Sequence, residues 1–265
     1  MAEWGRRAAV LVCGALAVAL TSCEGVFSGI YDNDSDSGEQ RLKADEIYID
    51  AADWDYWYYV DLDSLLTLRS SGDSAALYRA LRTHDARPIP RDSVEAVPAD
   101  SAGIYTYWFD IFGKGLSVYE RRSYRPTASQ AEPPHWTFAV HRDNVRTNGC
   151  AVYETSYTSL SQLPDSSAAF RDAQFQADTW SERDVWTDRT AMLSCLMGSE
   201  GIKINQVLSS WLTVNIPPIP PTFTYNGHVF ILRLPDGRCA ALRLKSYMDS
   251  AGTKCKLTIE YRFPY

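Results

Sequence analysis

A two-residue alternation closes the chain. From Lys254 to Phe263, the residues Cys255, Leu257, Ile259, Tyr261 and Phe263 fall on one side, and Lys256, Thr258, Glu260 and Arg262 on the other. Side chains alternate across a strand but repeat every three to four residues on a helix, so only a strand can bury this apolar set together. The preceding stretch, Cys239 to Tyr247, sets Ala240, Leu242 and Leu244 against Arg243 and Lys245. Pro235-Asp236-Gly237 separates it from the apolar run Val229 to Leu234. Three strands joined by short turns, with one face on a core, make an antiparallel meander. With both apolar sets facing inward, Cys239 and Cys255 lie on opposite faces, which argues against a disulfide between them.

The remainder carries the same signature in shorter pieces. Ile47-Tyr48-Ile49 is a β-rich run, and Trp54 to Leu62 alternates aromatic and polar residues, which predicts a strand with one buried face. Ala75 to Leu81 predicts a short helix after Ser74, whereas Pro88, Pro90 and Pro98 interrupt regular structure beyond it. Gly103 to Tyr124 reads as a hairpin turning at Gly113-Lys114-Gly115. Val118 stands where a dinucleotide-binding loop would need a third glycine. Trp136 to His141 predicts a strand with Trp136, Phe138 and Val140 on one side, and Asn148-Gly149 a tight turn. Ser156 to Gln176 reads as irregular, Thr190 to Met197 as an apolar island, and Ile216 to Pro221 as extended polyproline-like chain. The expected fold class is all-β, mainly antiparallel, with at most short helices in insertions. It forms one domain over 46–265, with 70–102 as a surface insertion.

The N-terminus says where such a domain works. Arg6 and Arg7 precede an uncharged apolar run from Ala8 to Leu20, which ends in Leu20-Thr21-Ser22-Cys23. The run falls short of the roughly 20 apolar residues a spanning helix needs, and it fits a secretory signal. Leu-Thr-Ser-Cys resembles a bacterial lipobox. Residues 1–22 are therefore expected to be a lipoprotein signal peptide, and Cys23 the lipidated mature terminus. Its several acyl chains would hold far better than a single one. The polar residues up to position 45, with Asp32, Asp34 and Asp36, read as a flexible acidic tether. The expected place is the outer membrane, lipid-anchored and exposed at the cell surface.

Charge and motifs narrow the chemistry. The net charge is −7, and removing Glu3, Arg6 and Arg7 with the leader takes it to −8. An acidic chain with no basic stripe repels phosphate backbones, so nucleic acid is excluded as a partner. Membrane attachment then falls to the acyl anchor. There is no Gly-x-Ser-x-Gly, no His-Glu-x-x-His and no phosphate loop, and the chain is not expected to be an enzyme. Asp53 and Asp55 read as a solvated face. Cys150, Cys195, Cys239 and Cys255 remain after the leader and Cys23, with no Cys-x-x-Cys among them, and are read as free, buried residues. His141 reads as a structural hydrogen-bonding histidine. His135 lies about 20 Å from it along a regular strand, too far to share a ligand. His84, in the insertion, is given no role.

Three blocks then carry a resemblance. They are Ile47-Tyr48-Ile49-Asp50-Ala51-Ala52 leading to Trp57-Tyr58-Tyr59; Trp136 to Arg142 through Arg146-Thr147-Asn148-Gly149-Cys150; and Val229 to Arg233 with Asp236-Gly237 and Leu257 to Tyr261. In this order they resemble the HmuY-like family of Bacteroidetes haem-binding surface lipoproteins. That resemblance implies an all-β protein that binds haem and passes it to a TonB-dependent outer-membrane receptor, without enzymatic activity. In the family's founding haemophore an axial histidine follows a Trp-Leu-x-x-x run. Here the run is Trp211-Leu212-Thr213-Val214-Asn215 and the next residue is Ile216, which cannot bind iron. Met192 and Met197, in the region where another ligand is expected, and His228, after a turn, are the haem-ligand candidates. The alternative is a surface module of the same fold that has lost haem ligation and binds glycan or protein through its aromatic residues.

Overall fold

The computed structural model describes residues 42–90, 94–97, 104–110, 115–126, 129–181, 196–199, 202–215 and 222–265. The leader, Cys23 and the acidic tether lie outside them. The domain begins with β1 (Glu46–Asp50), β2 (Tyr56–Val60), α1 (Leu62–Ser71), α2 (Ser74–Ala80) and β3 (Asp85–Pro88). β4 (Val94–Val97), β5 (Ile104–Asp110) and β6 (Gly115–Pro126) follow, then β7 (Phe138–His141), β8 (Asn144–Thr147) and β9 (Ala151–Glu154). After two short 3-10 turns come β10 (Gln176–Ala177), β11 (Thr179–Ser181), β12 (Leu196–Ser199), β13 (Ile202–Ile204) and α3 (Gln206–Ser209). The chain closes with β14 (Leu212–Asn215), β15 (Thr222–Tyr225), β16 (Phe230–Arg233), β17 (Cys239–Met248) and β18 (Lys254–Arg262).

The closing alternation becomes the middle of a six-stranded sheet, ordered β1-β18-β17-β16-β9-β10. A four-stranded sheet, β3-β2-β7-β8, packs near it; a second four-stranded sheet is ordered β12-β5-β6-β4, and β11-β13 and β14-β15 are two-stranded ribbons. All these pairings are antiparallel, as the turn chemistry predicts. Cys255, Leu257, Ile259, Tyr261 and Phe263 join Ala240, Leu242 and Leu244 in the main core, with Ile47, Ile49, Phe138, Val140 and Phe230. Each large apolar side chain buried this way contributes about 1.5–3 kcal/mol. The opposite face of the meander is covered too. There Ile231, Ala241 and Cys239 pack under Leu160, Leu163 and Phe170 from the irregular segment. Cys239 and Cys255 thus sit in different clusters, and Cys150, Cys239 and Cys255 are all buried thiols outside any disulfide. Cys195 lies outside the described residues.

Register irregularities after Leu244 shift the face of β17, so Tyr247 rather than Ser246 enters the core. Its hydroxyl lies 2.9 Å from the Cys255 sulfur. A third cluster of Trp57, Tyr59, Ile89, Trp136, Ala139 and Ile204 covers the other face of β2 and β7. Both faces of β2 are therefore buried, where the sequence pattern predicts one.

Three local expectations need correction. The aromatic alternation does not continue to Leu62, because Asp61 caps α1: its carboxylate accepts from the Asp63 amide at 3.0 Å and the Ser64 hydroxyl at 2.6 Å. Leu62 and Leu65 then enter the core from a helix, which ends at Gly72 with φ of 75°. Second, the prolines after α2 do not prevent strands. Pro88 sits on the edge strand β3, opposite Tyr56, where a missing N–H can face away from the ladder. Third, Trp136 does not share a side with Phe138 and Val140. It precedes β7, whose first residue is Phe138, and turns to the Trp57 cluster.

One polar tie joins four segments. Asn205 is fully buried. Its carbonyl oxygen caps α3 by accepting from the Leu208 amide at 2.9 Å, while its amide nitrogen donates to the Gln176 carbonyl and to Asp178. Asp178 also accepts from the Thr147 amide and hydroxyl at 2.6 and 2.7 Å. Truncation leaves these partners unsatisfied. Asn205→Ala is expected to lower unfolding free energy by about 2 kcal/mol in urea titrations, and Asn205→Asp to do no better because it sets a second carboxylate against Asp178.

His84, given no role by the sequence, closes the edge of β1. Its Nε2 lies 2.8 Å from the Tyr48 carbonyl, and the Tyr48 amide donates to the Leu81 carbonyl. Burial pushes its pKa down to about 4. The folded state therefore prefers neutral His84, and the unfolded chain takes up its proton first. The stabilisation is complete above pH 6.5 and is lost as pH falls towards 4. The full shift corresponds to about 3 kcal/mol, and partial solvent contact of the residue brings the expected loss to roughly 1–2 kcal/mol. His84→Asn should flatten the stability-versus-pH slope between pH 6.5 and 5. That window lies above the range in which Glu46 titrates. Burial raises Glu46's pKa, but the Lys245 ammonium at 2.6 Å and the Lys43 amide hold it below its usual value.

Candidate ligand-binding site

Two antiparallel units carry the segments on which the ligand candidates fall. The first is the long β5–β6 hairpin with β12 along its outer side. Register runs from Ile104 opposite Tyr124 to Phe109 opposite Tyr119, and Met197 of β12 stands opposite Tyr107. Met192, residues 111–114 and Cys23 lie outside the described residues. The second is the β14–β15 ribbon, where Leu212 pairs with Tyr225 and Asn215 with Thr222. Ile216 and the proline run after it lie outside the described residues.

The ribbon is held to the six-stranded sheet at several points along it. Trp211 is buried edge-on against Phe230 with ring centres 6.5 Å apart, and its carbonyl accepts from the Asn226 amide at 3.1 Å. Phe223 lies 5.1 Å from the Tyr247 ring, with the Lys254 ammonium 5.2 Å from its centre. The Tyr225 hydroxyl accepts from the Tyr247 amide at 3.1 Å. His228 lies between β15 and β16. Its Nδ1 is 2.6 Å from Glu154 Oε1, which also accepts from the Asn226 amide group at 3.1 Å. The His228 amide in turn donates to Asn226 Oδ1 at 3.0 Å. Any metal at His228 would meet Nε2, with Glu154 fixing the ring.

The remaining histidines have other surroundings. His141 is buried, its Nε2 2.9 Å from the Trp54 carbonyl and its ring 5.3 Å from Trp57, as expected of a structural histidine. The next residue, Arg142, has φ of 57°, lays its guanidinium 3.7 Å over Trp54 and donates to the Ala52 carbonyl at 2.8 Å. Asp53 accepts from the Asp55 amide at 2.9 Å, a turn contact and not an acid–base pair. Among the described residues no three His, Cys, Asp or Glu converge as a metal site. Burial pushes the Cys150 thiol up to about 12, which keeps it protonated and unreactive.

A cleft of about 610 Å³ opens between the start of α1 and the turns at 133–137 and 234–238. Its lining includes Asp61, Asp63, His135, Asn148, Asp236 and Arg238. Most of this polarity is spent internally. Arg238 donates to both oxygens of Asp63 and, through Nε, to Asp236 at 2.7 Å, which raises the Arg238 pKa and lowers that of Asp236. The cleft is a tie between α1 and the meander, with His135 exposed at its rim.

No curated protein matches the chain. Among solved structures, a Bacteroides vulgatus protein assigned as HmuY-like and haem-binding is 26% identical, covering 83% of this chain and 91% of its own, with a TM-score of 0.57. A Bacteroides fragilis protein assigned as a lipoprotein is also 26% identical over 83% and 90%, with a TM-score of 0.53. Apo PinO of Porphyromonas gingivitis, 19% identical over 86% and 99% at a TM-score of 0.59, shares the fold. The family model described as HmuY protein matches residues 53–261, and with this fold the chain belongs to the HmuY family.

Proposed function

We propose that this protein is a lipid-anchored haem carrier of the outer membrane that hands its ligand to a TonB-dependent uptake receptor and performs no catalysis. The observation that carries the reading is the family match over 53–261, joined to a 26%-identical relative assigned as haem-binding. Lipid attachment at Cys23 and surface exposure rest on the signal-like leader and the Leu-Thr-Ser-Cys motif. Haem iron takes thioether as well as imidazole ligands, and Met192, Met197 and His228 are the candidates carried from the sequence. Met192 stays a candidate through its place in the sequence. A second reading, a surface module that has lost haem and binds glycan or protein, is favoured by Ile216 at the family's ligand position.

Titrating the purified full-length protein in detergent with haemin separates the two. The carrier gives a defined Soret band that saturates below about 1 μM and shifts on reduction with dithionite. A featureless haemin spectrum, unchanged by reductant, assigns the second reading. Met192→Ala and Met197→Ala report ligation separately, and unchanged spectra in both remove methionine from the iron.

Growth with labelled palmitate tests the anchor. The wild-type chain is expected to take up label and stay in the membrane fraction, and Cys23→Ser to lose both. A Cys23→Ser protein that remains as firmly membrane-bound removes the lipoprotein reading.

A further inference from the structure

The face of the β3-β2-β7-β8 sheet turned away from the main core gathers polar atoms that its packing does not satisfy. Trp57 and Tyr59, two apart on β2, share this face, and Arg87 of β3 lies opposite Trp57. Ala139 of β7 lies opposite Tyr59, and Arg146 of β8 opposite Ala139, so these three form one row. The small alanine in the middle lets Arg146 reach back across β7. Its Nη1 donates to the Tyr59 hydroxyl at 3.4 Å, and its guanidinium carbon lies 5.7 Å from the Trp57 ring centre and 5.1 Å from that of Trp136. The segment before β7 covers this layer. Glu132 accepts from Arg146 Nη2, and the Ala131 carbonyl accepts from both the Tyr59 hydroxyl at 3.2 Å and Gln130 Nε2 at 3.0 Å. Gln130 Nε2 also donates to the Pro88 carbonyl at 3.0 Å.

Three enclosed atoms of this layer make no hydrogen bond to protein. They are the indole Nε1 of fully buried Trp57, Nε of Arg146 and Oε1 of Gln130. A polar atom shut away without a partner forfeits its hydration, so such atoms in one layer call for a molecule that bonds them. Two donate and one accepts. Turning the Gln130 amide over does not help, because it would set its oxygen against two carbonyl oxygens. An anion could accept from both donors but would offer nothing to Gln130, and the Arg146 charge is already balanced by Glu132. Water both accepts and donates, and buried water takes two to four polar partners. Arg87 Nε is enclosed as well, but that side chain is 38% exposed and paired with Asp85. Trp211 is the counter-case. Its Nε1 also lacks a partner, yet its ring belongs to the apolar main core, edge-on to Phe230, and apolar surroundings stay dry.

We propose that one water molecule is bound in this layer, accepting from Trp57 Nε1 and Arg146 Nε and donating to Gln130 Oε1. It seats the segment from Gln130 to Trp136 on the sheet, and the same segment lends Pro134, His135 and Trp136 to the lining of the cleft beside α1. The site is independent of the haem reading.

The test follows the indole N–H signals of full-length protein in detergent, grown with isotopically labelled tryptophan. Trp57→Phe and Trp211→Phe each assign one signal by its disappearance. The Trp57 signal is expected to show a magnetisation-transfer peak to bound water, the Trp211 signal none, and sodium bromide should move neither. The proposal is overturned if the Trp57 peak is missing, if Trp211 shows an equal one, or if the Trp57 signal shifts with bromide but not with sulfate, which would make the occupant an anion. A crystal structure of the wild-type chain decides the same point should Trp57→Phe not fold. Solvent density within hydrogen-bonding distance of Trp57 Nε1 and Arg146 Nε supports the proposal. No density there, or an anomalous bromide signal at that place after a soak, overturns it.

Discussion

The pairing of β17 with β18 is the constraint on which the other packing depends. These are the two longest strands of the six-stranded sheet, and they carry the alternation that fixes which side is the core. A shift of one residue would turn Leu257, Ile259 and Tyr261 outward and bring Lys256, Glu260 and Arg262 in, so the register is held by burial as much as by hydrogen bonds. Charge pairing agrees with it: Arg243 faces Glu260 in register and bonds it at 2.8 Å. β1 then adds to the free edge of β18 with Ile47 and Ile49 inward. Glu46, almost fully buried, finds Lys245 two strands away.

That frame explains how the β14–β15 ribbon is anchored. The irregular register in β17 brings Tyr247 into line with Phe223 and Tyr225, while Trp211 closes over Phe230 from the other side. Side chains close to the sheet are consumed in packing and hydrogen bonds: His228 by Glu154, Asn226 by Glu154 and the Ser210 carbonyl.

The same division accounts for what the sequence reveals. The meander, the β5–β6 hairpin and the separation of Cys239 from Cys255 are legible because period-two burial is a local pattern that survives in one sequence. α1 is not legible in that way, since Trp54 to Leu62 keeps alternating through Asp61, and only the Asp61–Ser64 cap spacing marks the change. Trp136 is misassigned for a related reason: alternation says which residues share a side only after the strand has begun. The tie of Asn205, Asp178 and Thr147 joins residues far apart in sequence, and no periodicity announces it. The ligand position is the least legible, because a site is a set of side chains from separate strands. β12 meets β5 almost ninety residues away in sequence, and only the register shows which of their residues stand opposite each other.

Sensitivity to substitution follows from the same frame. Tyr247 and Leu242 belong to the main core, and Trp211 joins it from the start of the β14–β15 ribbon while Phe223 packs against it from β15. A change at Tyr247 or Leu242 would disturb that core directly, and with it the contacts that hold the ribbon, because Phe223 and Tyr225 both meet Tyr247.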